Sequence, residues 1–264
     1  MTASTARLSK HHGLGNDFLV WVDGNVERGG SLAQTWCDRR RGIGADGLLI
    51  AHTDGPGRWR MVLFNADGSR AEMSGNGIRC FVQAVTHGVP GVYSVSTDAG
   101  ERVVELMSTS EPSTVMASVS MGVVAEGKPS PNWDAVGCHP DRPVAHLNLG
   151  NPHTVVGVDE VRVVDLGLIG SQVPDVNLEI VEPGPEPTAI TMRVHERGAG
   201  ITEACGSGAC ASAWAARQWG MVQSSDVLVH MPGGDAVVRV DHPAAGRVTL
   251  VGPSTFVGSV LVDR

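Results

Sequence analysis

Two short segments place reactive residues where chemistry can occur: Ser74-Gly75-Asn76-Gly77 and Cys205-Gly206-Ser207-Gly208. Each opens a stretch that reads as a helix, 78–87 and 209–219, and each stretch stops at a glycine, Gly88 and Gly220. A helix start presents free N–H groups and the positive end of the dipole. Glycine lets a ligand approach that backbone closely. Both turns therefore read as anion sites, and together they could hold one carboxylate or phosphate from both sides. Cys205 falls at the expected cap, where a thiol pKa drops below its usual ~8.5. A thiolate there is a base or a nucleophile. On residues alone the ligand class is a small zwitterion or carboxylate.

Polar clusters lie near these turns in sequence. His195-Glu196-Arg197-Gly198 follows a strand-like run, and Asn65-Ala66-Asp67-Gly68-Ser69 holds the matching place in the first half. Asn151-Pro152-His153 follows another strand. Asn65 and Asp67 equally fit an ordinary turn, and Glu196 with Arg197 equally fits a solvated ion pair. His153 alone would more often be structural. His11 and His12 read as surface residues.

The elements that must position these groups come in two matching sets. Leu14-Gly15-Asn16 recurs as Leu149-Gly150-Asn151, each followed by an apolar strand-like run. Strands 59–64 and 190–195 each precede a glycine turn and its helix. A strand, a glycine turn (Ala99-Gly100, Gly233-Gly234) and a second strand follow each helix. Four landmarks in one order point to a duplication. Further strands are read at 102–107, 114–121, 144–149, 177–181, 227–230, 237–240 and 256–262, and a helix at 31–40. The stretches 122–131 and 183–187 read as loops, and a boundary in the first would halve the chain.

Length and composition suggest one large globular domain or two smaller ones. The 264 residues suffice for a core without disulfides. No apolar run reaches the ~18 residues of a membrane helix, and 1–10 has no signal-peptide core. A net charge of −8 argues against nucleic acid or an anionic membrane as partner. The five cysteines form no C-x-x-C pair and no zinc spacing, so most read as buried reduced thiols. Glycine is in excess, 34 residues against a typical ~7%.

The chain resembles the diaminopimelate epimerase family. The matching segments are 12–18 (His-Gly-Leu-Gly-Asn-Asp-Phe), 41–47 (Arg-Gly-Ile-Gly-Ala-Asp-Gly), 65–73 with Gly75-Asn76-Gly77, 150–153, 196–200, 204–211, and Gly252-Pro253 through Gly258. The resemblance implies an α/β (α+β) fold of two pseudo-symmetric domains, each a strongly curved, mostly antiparallel sheet wrapped around a central helix. It implies domains 1–122 plus about 253–264 and 123–252, with the active site in the cleft between them. It also implies a cytoplasmic homodimer of the lysine and peptidoglycan precursor pathway that needs no cofactor and no metal, in which two cysteines move protons at either face of an α-carbon.

Residue by residue, Cys205 matches one catalytic cysteine. Gly75, Asn76, Gly206 and Ser207 match the carboxylate cradle. Asn65, Asn151, Asn177 and Arg197 match the groups that hold the distal end of the substrate. Glu196 and His153 match the groups that tune the thiols and bind the reacting ammonium, with Asn16 framing that site. The departure is Ser74, which stands where the family has its other cysteine. A hydroxyl is a far weaker acid than a thiol, so two-base epimerisation of LL- and meso-diaminopimelate should be slowed or made one-directional. Cys80 lies about 9 Å along the helix and is a poor substitute. Gly47 is a smaller departure, since many members carry glutamine there. The rival readings are a racemase, epimerase or one-base dehydratase for another amino acid, and a silent amino-acid-binding protein. A cysteine hydrolase fits poorly, because no Cys-His-Asn/Asp order with a clear oxyanion loop appears.

Overall fold

Runs of branched apolar residues between turn formers, such as 16–22 and 47–55, build strands that pair over most of the chain. The computed structural model describes residues 5–241 and 246–263. Two compact units emerge, Met1–Val119 with Gly252–Arg264, and Ser120–Val251.

In the first unit β1 (Thr5–Gly13) and β2 (Asn16–Val22) form an antiparallel hairpin. Helix α1 (Gly29–Trp36) crosses over to β3 (Gly47–Gly55), which lies parallel to β2. Strand β4 (Arg58–Asn65) returns antiparallel, and the short β5 (Arg70–Ala71) pairs with it. Helix α2 (Gly75–Thr86) leads to β6 (Gly91–Thr97), parallel to β4, and then to β7 (Gly100–Ser108) and β8 (Thr114–Val123). Strand β8 continues into β9 (Ala125–Glu126) in the second unit.

The second unit repeats this plan. Its hairpin is β10 (Val144–Asn148) and β11 (Pro152–Gly157), and α3 (Leu166–Gln172) crosses to β12 (Asn177–Pro183), parallel to β11. Then come β13 (Ala189–Glu196), β14 (Gly200–Thr202), α4 (Gly206–Gln218), β15 (Asp226–Met231), parallel to β13, and β16 (Gly234–Val240). Strand β17 (Arg247–Asp263) pairs with β16 through Val251 and then with β1 from Thr255 onward. In the same way β9 pairs with β10. Each unit is thus a strongly curved, mostly antiparallel sheet around one helix.

Helix α2 packs on β1, β2, β3 and β7, and α4 on β10–β13, β15 and β16. Every residue of α2 but Thr86 is buried, so the helix is enclosed on all sides. Its three polar buried residues, Asn76, Arg79 and Gln83, follow helical spacing and share one face. Helix α4 is built of glycine, alanine, serine and one cysteine over its first two turns, which allows close approach to the strands. The opposite face of the sheet packs on the crossover helix. Leu19, Trp21, Leu48 and Ile50 meet Leu32, Ala33 and Trp36 of α1, with Trp21 and Trp36 edge to face at 5.4 Å. In the second unit Leu178 and Ile180 lie in one cluster with Leu166 of α3.

Three local features differ from the sequence reading. The helix expected to reach residue 40 ends at Trp36, because Asp38 Oδ1 accepts from the Arg40 and Arg41 N–H groups and turns the chain. Helix α3 is short, and its one sequence signal is the N-cap Asp165, which accepts from the Leu168 N–H at 3.1 Å. His11 is not a surface residue: it is 2% exposed, with Nδ1 2.9 Å from Gln83 Oε1 and Nε2 3.1 Å from Ser9 Oγ. Among the described residues no helix is long and apolar enough to cross a membrane. The five cysteines are unpaired in disulfides, and all but Cys138 are buried.

Candidate active site

In the first unit Ser74 is the N-cap of α2, extended at φ −133°, ψ 127°, and its hydroxyl accepts from the Gly77 N–H at 3.0 Å. Gly75 and Asn76 form the first turn. Asn76 Nδ2 donates to Asn16 Oδ1 at 3.2 Å, and Asn76 Oδ1 accepts from Arg79 at 2.8 Å. Asn16 in turn donates to Asp46 Oδ2 at 2.8 Å. The Asp46 carboxylate also accepts from the Asp17 N–H and from Arg39. Burial pushes the Asp17 carboxyl up, but Arg39 and Lys10 beside it hold it below the usual carboxylate range. The 41–47 loop therefore acts through Asp46, which fixes Asn16 against the start of α2. Asn65, at the end of β4, donates to Ser69 Oγ at 3.0 Å, and the next residue's N–H bonds to the Asp46 carbonyl.

Gly47 has no room for a side chain. A Cβ there would lie 2.8 Å from the Phe64 carbonyl oxygen and 3.2 Å from the Phe18 ring. Cys80 faces the interior of α2, and burial pushes its thiol up to about 11. It does not stand in for a thiol at position 74.

In the second unit Cys205 is the N-cap of α4, at φ −127°, ψ 112°, and its sulfur accepts from the Gly208 N–H at 3.4 Å. Gly206 and Ser207 form the first turn. Ser207 Oγ lies 3.7 Å from Cys205 Sγ and accepts from Asn151 Nδ2 at 3.2 Å. Asn151 Oδ1 is 3.0 Å from His153 Nε2, so Cys205, Ser207, Asn151 and His153 form one connected chain. Asn177 Oδ1 accepts from the Arg197 N–H at 2.8 Å, which holds the turn after β13. The Arg197 side chain is exposed. Glu196, at the end of β13, accepts from Thr202 and lies against the Cys205 thiol.

The helix cap does not bring the Cys205 pKa below the ordinary thiol value, contrary to the expectation from its place in the sequence. The thiol is 4% exposed, and its pKa lies well above the ordinary thiol value. Burial is the largest cause, followed by the carboxylates of Glu196 and Glu179; the Gly208 N–H opposes them and is outweighed. Cys205 therefore rests as a thiol.

Glu179 was not singled out from sequence. It lies in the middle of β12, two residues after Asn177, and therefore on the same face of the strand. It is fully buried, with Oε1 2.7 Å from His153 Nδ1. The sequence signal was an acid inside a largely apolar strand, at period two from an asparagine already of interest. Arg79 was also missed. It is buried in α2 and donates to the Pro253 carbonyl at 3.1 Å as well as to Asn76.

The model of the diaminopimelate epimerase family matches residues 8–125 and 146–257. The chain is 35% identical to a diaminopimelate epimerase of Thermosynechococcus vestitus, over 95% of this chain and 96% of that one. It is 37% identical to one of Sphingopyxis alaskensis, over 88% and 89% respectively. Among solved structures, one described as a predicted epimerase of Pseudomonas aeruginosa has a similar fold, with a TM-score of 0.75 at 13% identity over 97% of this chain and 99% of that one.

Proposed function

The chain belongs to the diaminopimelate epimerase family, and on that premise we propose that it is an amino-acid epimerase interconverting LL- and meso-diaminopimelate without a cofactor. One observation carries the assignment of roles. Ser74 and Cys205 cap two equivalent helices with nearly the same backbone angles, each side chain turned to the N–H three residues on. In this reading a proton leaves the α-carbon to a base on one face, and another is delivered to the opposite face, so charge is conserved. Cys205 serves one face and Ser74 the other. The backbone N–H groups of Gly75, Asn76, Gly206 and Ser207 stabilise the charge that develops on the substrate carboxylate. Asn65, Asn151, Asn177 and Arg197 bind the distal end of the substrate. His153 and Glu196 tune the thiol and meet the reacting ammonium, and Asn16 frames the site.

Ser74 sets the rate in this proposal. The Cys205 thiol can protonate a carbanion, but a serine hydroxyl is almost never an alkoxide near neutral pH. Removal of the α-proton by Ser74 is therefore slow. A second reading, a chain that binds the amino acid without turning it over, is favoured by the same pair: a protonated thiol and a hydroxyl engaged as a helix cap. Within the first reading we place the chain in the cytosol as a homodimer, on the route to lysine and peptidoglycan precursors; light scattering in solution tests the dimer.

The deciding experiment is incubation with each diaminopimelate isomer in D2O, following α-deuterium and epimer ratio for the native chain and for Ser74→Cys. Slow exchange in the first and fast exchange in the second supports the epimerase. No exchange in either, with binding retained, supports the silent protein. Exchange only with proline-like amino acids overturns the substrate.

A further inference from the structure

The duplication provides an internal control for the residues beneath Cys205. Matching Asn16 with Asn151 makes Phe18 the counterpart of His153. In the two parallel strand pairs Phe18 lies opposite Gly47 and His153 opposite Asn177. Two residues further along, Leu49 is the counterpart of Glu179. The first unit thus fills these places with a buried Phe and Leu, and the second with a fully buried His and Glu. The glycines facing them correspond as well. A Cβ on Gly77 would lie 3.4 Å from the Phe18 ring, and one on Gly208 would lie 2.6 Å from Glu179 Oε1. The plan folds with an apolar pair, and burying an ionisable pair costs desolvation.

We propose that Glu179 is a positioning residue that sets the protonation of the Cys205 thiol, by its charge beneath the first turn of α4 and by holding His153. The inference rests on the epimerase reading for its purpose, though not for its test. Glu179 Oε1 shares one proton with His153 Nδ1, so the His ring is fixed with Nε2 toward Asn151. Asn151 then orients Ser207, which lies against the sulfur. Glu179 Oε2 has no hydrogen-bond partner among the described residues. Glu179 Oε1 lies directly beneath Gly208, whose N–H meets Cys205, and burial pushes the Glu179 carboxyl up while His153 beside it opposes that rise. The ionisable groups facing the thiol are Glu179 on β12 and Glu196 on β13; His153 on β11 reaches it only through Asn151 and Ser207. Removing the Glu179 charge therefore favours the thiolate.

Alkylation of Cys205 by iodoacetamide, followed by peptide mass spectrometry across pH, tests this without substrate. Its failure and failure of the epimerase assignment are thus separate results. In Glu179→Gln the Cys205 rate at fixed pH below the midpoint should rise about threefold or more, with the midpoint moved to lower pH. The double variant His153→Phe with Glu179→Leu copies the apolar pair of the first unit. It should fold and show the same displacement. Cys210 in the same helix is fully buried, and its unchanged protection excludes general loosening. Profiles in both variants that superimpose on the native one would overturn the proposal. So would a faster Cys205 reaction matched by Cys210.

Discussion

Ser74 and Cys205 are the same residue of a duplicated plan: each closes the N-terminus of the helix enclosed by its own unit, and each accepts from the N–H of a glycine three residues later, Gly77 at 3.0 Å and Gly208 at 3.4 Å. A position that must supply proton chemistry is also a position that must cap a helix. The two duties are separable by substitution.

Ser74→Ala removes the cap oxygen from α2 and should cost about 1 kcal/mol, a fall in Tm of about 2–4 °C for a chain of this size. Ser74→Cys should lose less, because sulfur fills the same role at Cys205. Differential scanning calorimetry of the three proteins gives the order native, Ser74→Cys, Ser74→Ala.

The pH profile of the Ser74→Cys enzyme should carry an alkaline limb above the ordinary thiol range. In the direction in which Cys205 removes the α-proton the working base is its thiolate, and burial with two nearby carboxylates raises the Cys205 pKa. Activity therefore climbs as pH rises through that raised value. Glu196→Gln removes one of the carboxylates and should move the limb to lower pH. A limb that stays in place on this substitution would show that Glu196 does not act on the thiol.

His11 should make the protein acid-sensitive in a defined window. Burial holds its pKa down to about 4 from an unfolded value of 6.5, against the opposing bond from Gln83, and His12 adds a further lowering. The folded state thus binds fewer protons than the unfolded state between these values. Stability is full above about pH 6.5 and falls as pH drops to about 4, by about 3 kcal/mol in all. Urea melts at pH 7, 5.5 and 4 measure this, and His11→Asn should flatten the slope.

Gly208→Ala should damage both fold and site. The new methyl would lie 2.6 Å from Glu179 Oε1 and 3.2 Å from Cys205 Sγ. Relief requires moving one of them, at an overpacking cost of about 1–3 kcal/mol. In a Ser74→Cys background kcat/KM should fall more than tenfold, as expected when a reacting group shifts by a fraction of an ångström.

The two helix starts were legible because glycine spacing and caps are local. The duplicated order of strands was legible for the same reason, and it placed Asn16, Asn76, Asn151 and Ser207 beside those starts. The protonation of Cys205 was not. The cap favours a thiolate, but burial comes from the enclosing sheet, and the two carboxylates come from β12 and β13, so nothing within a few residues of Cys205 announces them. Glu179 was hidden because β12 carries a second acid, Glu182, and only the placement of its partner His153, 26 residues earlier, sets it apart. His11 was misread for the same reason: its partner Gln83 is 72 residues away. Crossover helix α3 is short and offers only the cap Asp165 as a local signal, and its place in the repeated plan explains it.

Strand β17 has a consequence for the order in which the protein is made. Val260 pairs with Leu8 and Asp263 with Thr5, so the sheet that begins with the earliest described residues of the chain is finished by the latest. The first unit to leave the ribosome must wait, with one edge of β1 unpaired, while the whole of the second unit is synthesised. Residues 120–251 need no such delay. The half that is translated later can therefore complete its sheet earlier, and the sheet around the enclosed serine helix is closed only after residues 255–263 have been made.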